Sequence, residues 1–153
     1  MSSKSPRQTV VSGPPVSLPV AGKTGPDNAV PACSEWLARH DEQQTLAKRW
    51  QRLESHLIRE HHWFELNKRE RAVLPESAEL DAIGVRLDEL YALNNKLLNM
   101  LPLVAATTHH GLACKLTVAL ALVHPEENKE VHTLIKSVLC DFGNTAMPIG
   151  HRL

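Results

Sequence analysis

Apolar residues recur at intervals of three, four and seven positions through most of the chain, and this spacing predicts helices. The first stripe comprises Trp36, Gln43, Trp50, Leu57 and Phe64, spaced by seven, with Leu46 and Leu53 three residues after two of them. Such a heptad repeat is typical of a helix that packs lengthwise against another, and Gln43 is its polar core position. Because Ser34 is a suitable N-cap and no Pro or Gly occurs up to Arg71, we predict one uninterrupted first helix.

A second stripe begins after Leu74-Pro75, where the chain turns and a new helix starts. It comprises Leu80, Ile83, Leu87, Leu90, Asn94, Leu97 and Leu101, with Asn94 as its polar position, and ends at Pro102. Because only a short turn separates the two striped helices, we predict a long antiparallel helical hairpin with coiled-coil-like packing. The second helix is the shorter, so the start of the first should extend beyond it. Trp36 would then need to pack against another part of the protein or a partner.

Two shorter helices are predicted after the hairpin. Thr107 or Thr108 can cap the third helix, which runs to about Val123 and is apolar on most sides, so we expect it to be buried. The fourth helix carries a stripe at spacings of three and four, and Gly143 is its predicted C-cap. That stripe comprises Val131, Leu134, Ile135, Val138, Leu139 and Phe142. The predicted fold class is therefore all-α.

The first 33 residues differ in composition from the rest of the chain. They hold six of the ten prolines, with Gly, Ser and Thr between them. Proline lacks a backbone donor and blocks helices, so this segment has no run that could pack into a core. We predict a disordered Pro/Gly/Ser-rich tail over residues 1–33, a helical domain over 34–143 and a frayed C-terminus over 144–153.

Charge and cysteine content narrow the classes of function. Lys and Arg total 17, as do Asp and Glu, so the neutral chain has no overall field to attract nucleic acid or an anionic membrane. The longest apolar stretch, Leu112 to Val123, is interrupted by Lys115 and is too short to cross a bilayer. Three scattered cysteines argue against a disulfide framework and a zinc knuckle. We expect a cytoplasmic protein without a signal peptide, a membrane partner or a cofactor.

A set of short motifs lies between the second and third predicted helices. It comprises Leu101-Pro102, Ala106-Thr107-Thr108, Gly111-Leu112-Ala113 and Lys115-Leu116. Together with the Trp36-Leu37 start and the Arg86-Leu87-Asp88-Glu89-Leu90 helix, these motifs resemble a family of small bacterial all-helical proteins with no known activity. The resemblance covers about residues 34–142. It implies a bacterial helical protein and brings no catalytic residue or cofactor. The motif itself favours a structural interpretation, in which Thr-Thr caps a helix and Gly111 permits close approach of a neighbour.

Nine histidines raise the question of a metal site. On the first helix, His56 and Glu60 lie four residues apart, as do His61 and Glu65, so each pair shares a helix face. The sequence has neither the Glu-x-x-His pairs of di-iron bundles nor a His-Glu-x-x-His motif. We therefore predict no metal site, and these four residues are the candidate ligands if one exists.

Two basic clusters in the first predicted helix are candidates for binding nucleic acid. They comprise Lys48, Arg49 and Arg52, and Lys68, Arg69 and Arg71. Binding would require these groups to share one face. However, residues 35–75 hold eight basic and seven acidic residues, so a solvated helix face with internal salt bridges is favoured.

The aromatic residues of the first helix indicate an interaction role. Trp36, Trp50, Trp63 and Phe64 are the candidate partner-binding residues, because tryptophan is enriched at interface hot spots. The leading hypothesis is a non-catalytic interaction or structural protein that binds a partner helix, or a second copy of itself, through the Trp/Leu stripe. The alternative is a regulatory nucleic-acid-binding protein that uses the basic clusters. A His-rich metal-binding protein is the third hypothesis.

Overall fold

The computed structural model describes residues 25–145, and all regular elements in this range are helical, which confirms the all-α class. The helices are α1 Ala29–His61, α2 Lys68–Val73, α3 Pro75–Met100, α4 His109–Leu122 and α5 Lys129–Thr145, with 3-10 turns at Trp63–Glu65 and Leu101–Leu103. Within this range no helix is long and apolar enough to cross a membrane. Most of the predicted tail (residues 1–24) and of the predicted frayed end (146–153) lies outside the described residues.

The first helix begins earlier than predicted. It starts at Ala29 rather than after a cap at Ser34, and the Asp27 carboxylate accepts a hydrogen bond from Ala29 N at 3.1 Å. Pro31 is tolerated because the amides of the first turn have no partner within the helix. Ala29 and Cys33 are fully buried, so α1 includes five residues that the sequence prediction assigned to the tail.

The first helix also ends earlier than predicted. At the residue after His61, His62 adopts the left-handed conformation, with φ 49° and ψ 47°. α2 then begins with a capping box, in which the Asn67 side chain accepts from first-turn amides and the Glu70 carboxylate accepts from Asn67 N. The uninterrupted helix predicted to Arg71 is therefore wrong. Local capping ends it, although no Pro or Gly is present.

α1 and α3 pack side by side and run in opposite directions. The paired residues are Glu42 with Arg86, Arg49 with Glu79, and Trp36 with Asn94. Two apolar clusters lie along this pair. The Trp36 cluster comprises buried Cys33, Trp36, Leu101 and Val118, and the Leu57 cluster comprises buried Leu53, Leu57, Leu80 and Ile83. The hydrophobic core of α1 and α3 is thus divided into two parts.

Both polar stripe positions are buried in this interface. Gln43 and Asn94 are each 4% exposed, and Asn94 Nδ2 donates to Trp36 O at 3.1 Å. Gln43 Nε2 and Asn94 Oδ1 have no hydrogen-bond partner within residues 25–145. A buried polar atom without a partner costs about 1–3 kcal/mol, so these side chains lower stability while favouring one register of the two helices.

α4 covers the start of α1. Its N-cap is Thr108, one of the two predicted caps, and Thr108 Oγ1 accepts a hydrogen bond from Gly111 N at 3.0 Å. Val118 packs in the same cluster as Trp36, which is only 3% exposed. The overhang predicted for α1 is therefore covered by a helix of the same chain.

α4 and α5 differ from the prediction in two details. α4 is not buried throughout, because Leu112 and Leu122 are 43% and 46% exposed. α5 packs against α4 and continues through Gly143 to Thr145, so Gly143 is not a C-cap. A glycine inside a helix lowers its stability slightly without ending it.

Candidate functional site

Three side chains of types that can ligate a metal meet where α1 ends and α3 begins. One ligand atom each from His56, His61 and Glu76 lies within 4.8 Å of the others, and His56 Nε2 is 4.0 Å from Glu76 Oε1. The imidazole rings of His56 and His61 stand edge to face, with centroids 5.8 Å apart. Glu76 Oε2 is buried and has no hydrogen-bond partner among the described residues. The group therefore combines two imidazoles with a carboxylate whose second oxygen is free.

Two of the four candidate ligands belong to this group and two do not. His56 and His61 are in it, whereas Glu60 and Glu65 are exposed and lie outside it. The pairing predicted from helix spacing is replaced by a contact across the turn. Glu76 is 20 residues from His56, so no spacing rule within one helix could have identified it.

A polar cleft of about 460 Å³ adjoins this group and includes His56 and Glu76 in its lining. On one side, Arg49 donates to both carboxylate oxygens of Glu79, at 2.8 and 3.1 Å. This hydrogen bond and the positive charge of Arg49 lower the pKa of Glu79. Arg52 completes the charged lining of the cleft. Because Arg49 and Glu79 are both about half exposed, their ion pair fixes geometry more than it adds stability.

The structure separates the four candidate partner-binding residues. Trp36 is buried near the start of α1, against α4. Trp50 and Trp63 are partly buried and pack against the Leu57 cluster. Phe64 is 70% exposed. The predicted register places Phe64 on the stripe and Trp63 beside it, but the chain has left α1 before these residues. Trp63 therefore turns inward, and the Arg71 guanidinium lies 4.7 Å from its ring centroid.

The basic clusters are partly occupied by internal contacts. Arg49 pairs with Glu79, and Arg71 donates from Nε to Trp63 O at 3.1 Å. The break at His62 places Lys68, Arg69 and Arg71 on α2 rather than on α1. On α1, one shallow cleft is lined by Lys48, Gln51, Arg52, Ser55 and Arg59. The six candidate residues therefore do not form one continuous basic face along a single helix.

The Thr-Thr-x-x-Gly motif is explained by Asp27, a residue that the sequence interpretation did not connect with it. The Asp27 carboxylate accepts from the Thr107 and Thr108 amides at 3.1 and 2.9 Å, and also from the Thr108 hydroxyl. A Cβ at residue 111 would overlap this carboxylate, so Gly111 is required for its position. The hydroxyl of Thr108, with the amides of Ala29, Thr108 and Thr107, lowers the pKa of Asp27. One carboxylate thus ties the starts of α1 and α4 together.

An apolar groove lies between the end of α3 and α4. Its volume is about 190 Å³, and its lining comprises Leu98, Leu101, Pro102, Lys115, Val118, Ala119 and Leu122. Leu103, which follows Pro102 directly, is 86% exposed. Tyr91 lies seven residues before Leu98, on the same helix face, and is half exposed. The groove is open and carries little polar surface.

The cysteines offer no activated nucleophile in the described region. Burial raises the pKa of the Cys33 and Cys114 thiols, so both remain protonated at neutral pH. The Cys114 sulfur lies 3.9 Å from His110 Nε2, which is a long contact for a catalytic pair. Cys140 is free and exposed on α5.

The fold and these sites describe an all-α protein with a polar His/Glu group at one end and an apolar groove at the other. No family model matches the chain, and no curated protein or solved structure matches it either. The resemblance to small bacterial helical proteins therefore stays a prediction.

Proposed function

We propose that this protein is a non-catalytic helical interaction protein, and that its α3–α4 groove binds a second copy of the same chain. The groove supports this proposal because its floor is apolar and the apolar side chains at its rim are exposed. Leu101 and Val118 on the floor are 5% and 3% exposed, whereas Leu122 on the rim is 46% exposed and neighbouring Leu103 is 86% exposed. A concave, mainly apolar lining is a common feature of binding sites.

Charge favours a second copy as the occupant. The chain has equal numbers of basic and acidic residues, so two copies do not repel each other. Among the seven residues that line the groove, Lys115 is the only ionisable one, so the groove does not select a strongly charged ligand. A mainly apolar patch can pair with itself about a twofold axis, which is the commonest symmetry of soluble oligomers.

In this proposal the α1–α3 pair is a coiled-coil-like hairpin that supports the groove. The heptad positions of both helices contribute to the Trp36 and Leu57 clusters. Asn94 bonds to the backbone of α1 at Trp36 and fixes the register of α3, whose end forms one wall of the groove. The proposed interaction surface is therefore the α3–α4 groove, and not the Trp/Leu stripe of α1 that the sequence predicted.

Light scattering of the full chain at low and high concentration tests the proposal. We expect a dimer that dissociates on dilution, and we expect Leu122→Lys to give a monomer because a charge in the groove would be desolvated on pairing. The matched control is Val85→Lys on α3. Val85 is 61% exposed and lies on a different face from Leu98, so its replacement should leave the dimer intact.

Circular dichroism melting of both variants separates loss of pairing from loss of folding. A wild-type protein that stays monomeric at all concentrations would contradict the proposal. So would a dimer that Leu122→Lys leaves unchanged while Val85→Lys disrupts it, because the interface would then lie on the outer face of α3.

A further inference from the structure

We propose that His56, His61 and Glu76 bind one Zn²⁺ ion at the turn between α1 and α3. Their donor atoms come from the last two turns of α1 and the first turn of α3, and all lie within 4.8 Å of one another. The proposal is independent of the groove, which lies at the other end of the α1–α3 pair.

The donor set selects the type of metal. Two imidazole nitrogens and one carboxylate oxygen are a common set of protein ligands for Zn²⁺, with a fourth position left for water or another ligand. Ca²⁺ and Mg²⁺ prefer oxygen ligands throughout, so this group should bind neither strongly. The ligands are His56, His61 and Glu76, and no cysteine belongs to the group.

Zinc binding would require only small movements of the three ligand side chains. Two ligands of a tetrahedral zinc ion, each about 2.1 Å from the metal, lie roughly 3.4 Å apart. His56 Nε2 and Glu76 Oε1 are 4.0 Å apart and must approach by about 0.6 Å, and no pair in the group must approach by more than about 1.4 Å, because all separations are within 4.8 Å. The His56 side chain is 44% exposed and that of Glu76 is 30% exposed, so both have room to rotate.

The carboxylate gives a second, independent reason to expect a cation. Glu76 Oε2 is buried without a hydrogen-bond partner among the described residues, and an unpaired buried carboxylate oxygen is unfavourable. A metal ion that neutralises the carboxylate would remove this penalty. Among the charged neighbours in the adjoining cleft, Arg49 and Glu79 neutralise each other, so Arg52 leaves one positive charge beside the group and weakens the attraction for a cation.

Binding would join two helices across the turn. His61 is the last residue of α1 and Glu76 is the second residue of α3, and the chain between them includes the left-handed His62 and the short α2. A shared metal ion would therefore hold the turn closed. Zinc should then raise the thermal midpoint as well as bind with defined stoichiometry.

Calorimetric titration of Zn²⁺ into the EDTA-treated full chain at neutral pH tests the proposal. We expect one ion per chain in the tightest class of site, with a higher thermal midpoint in zinc. Glu76→Gln and His61→Ala should each weaken this class at least about tenfold, because even changes in groups that support metal ligands weaken binding about 10–100-fold. Glu76→Gln keeps the shape of the side chain, so it should fold normally without metal.

Two matched controls make the result specific. Glu60→Gln alters the carboxylate predicted from helix spacing, and His132→Ala removes a histidine on α5; neither should change the tightest class of site. Co²⁺ should give the intense visible absorption of a tetrahedral site in wild type and lose it in Glu76→Gln. Equal zinc affinity in Glu76→Gln and wild type would overturn the three-ligand site. So would a wild-type protein that binds no stoichiometric zinc, or a loss of zinc affinity in Glu60→Gln rather than in Glu76→Gln.

Discussion

The two ends of the α1–α3 pair each bury a cluster of stripe residues, but they differ in how well the large apolar side chains beside that cluster are covered. At the end near α4, Trp36 is 3% exposed beneath a third helix. At the turn end Leu57 is fully buried, but Phe64 and Val73, which lie in the segment between α1 and α3, are 70% and 81% exposed. The comparison shows that two packed helices bury a narrow seam, whereas a third helix is needed to bury a residue as large as Trp36.

At the turn end the third helix is the short α2, and its packing is supplemented by polar contacts. They comprise the Arg49–Glu79 ion pair, the Asn67–Glu70 capping box and the contact of Arg71 with Trp63. The exposed ion pair among them adds little stability. We therefore expect the turn end to open more readily than the α4 end, and the following predictions test this difference from the largest expected effect to the smallest.

Removal of a tryptophan should have unequal effects at the two ends. Trp36→Ala should lower the free energy of unfolding by about 3–5 kcal/mol, because it removes a fully packed side chain. Trp50→Ala should cost roughly half as much, since Trp50 is only partly buried beside the Leu57 cluster. Urea denaturation followed by circular dichroism measures both. Equal losses would show that the two ends are equally well packed.

The Asp27 contact at the α4 end should decide whether Gly111→Ala destabilises or stabilises the protein. Gly111→Ala should destabilise the wild-type protein, because the new Cβ displaces the Asp27 carboxylate from the Thr107 and Thr108 amides. In an Asp27→Ala background the same change should stabilise α4 by up to about 1 kcal/mol, since alanine is the better helix former. A double-mutant cycle in urea measures the coupling, and additive effects would contradict the contact.

The left-handed residue at the turn end should be a point of strain. His62→Gly should raise the free energy of unfolding by about 1 kcal/mol, because glycine adopts a φ of 49° without the steric cost that histidine pays. The neighbouring substitution His61→Gly is the control and should destabilise, since His61 is helical. Thermal melting of the metal-free protein measures both, and a loss of stability in His62→Gly would argue that its side chain contributes more than its backbone costs.

Acid should weaken both ends through different carboxyls. The pKa of Asp27 is lowered chiefly by the Thr108 hydroxyl, and that of Glu79 by its hydrogen bond from Arg49. A carboxyl with a lower pKa in the folded state adds stability above its unfolded pKa, about 4, and loses it as pH falls through the folded value. Asp27→Asn and Glu79→Gln should each flatten the fall in thermal midpoint between neutral pH and acid. An unchanged pH profile in Asp27→Asn would show that its hydrogen bonds do not favour the charged form.

The comparison of the two ends also shows where sequence reasoning failed. Heptad spacing places Phe64 on the stripe and Trp63 off it, which is correct only while the helix continues. The left-handed conformation of His62 ends the helical spacing, so the heptad rule does not apply to the residues directly after it. Trp63 therefore packs inward and Phe64 is exposed. Of the four candidate ligands, His56 and His61 lie together in the structure, and the carboxylate beside them belongs to Glu76 on another helix rather than to Glu60 or Glu65.

By itself, the sequence determined the all-α class, the start of α3 at Pro75, a threonine cap at residue 107 or 108 and the buried polar positions Gln43 and Asn94. These features depend on periodicity and on capping chemistry within a few residues, so local sequence carries them. Only the tertiary structure decided what covers each helix and which distant side chains meet. Asp27 reaches Thr108 from 81 residues away, and the His/Glu group is completed across a turn, because packing brings together residues that no local pattern relates.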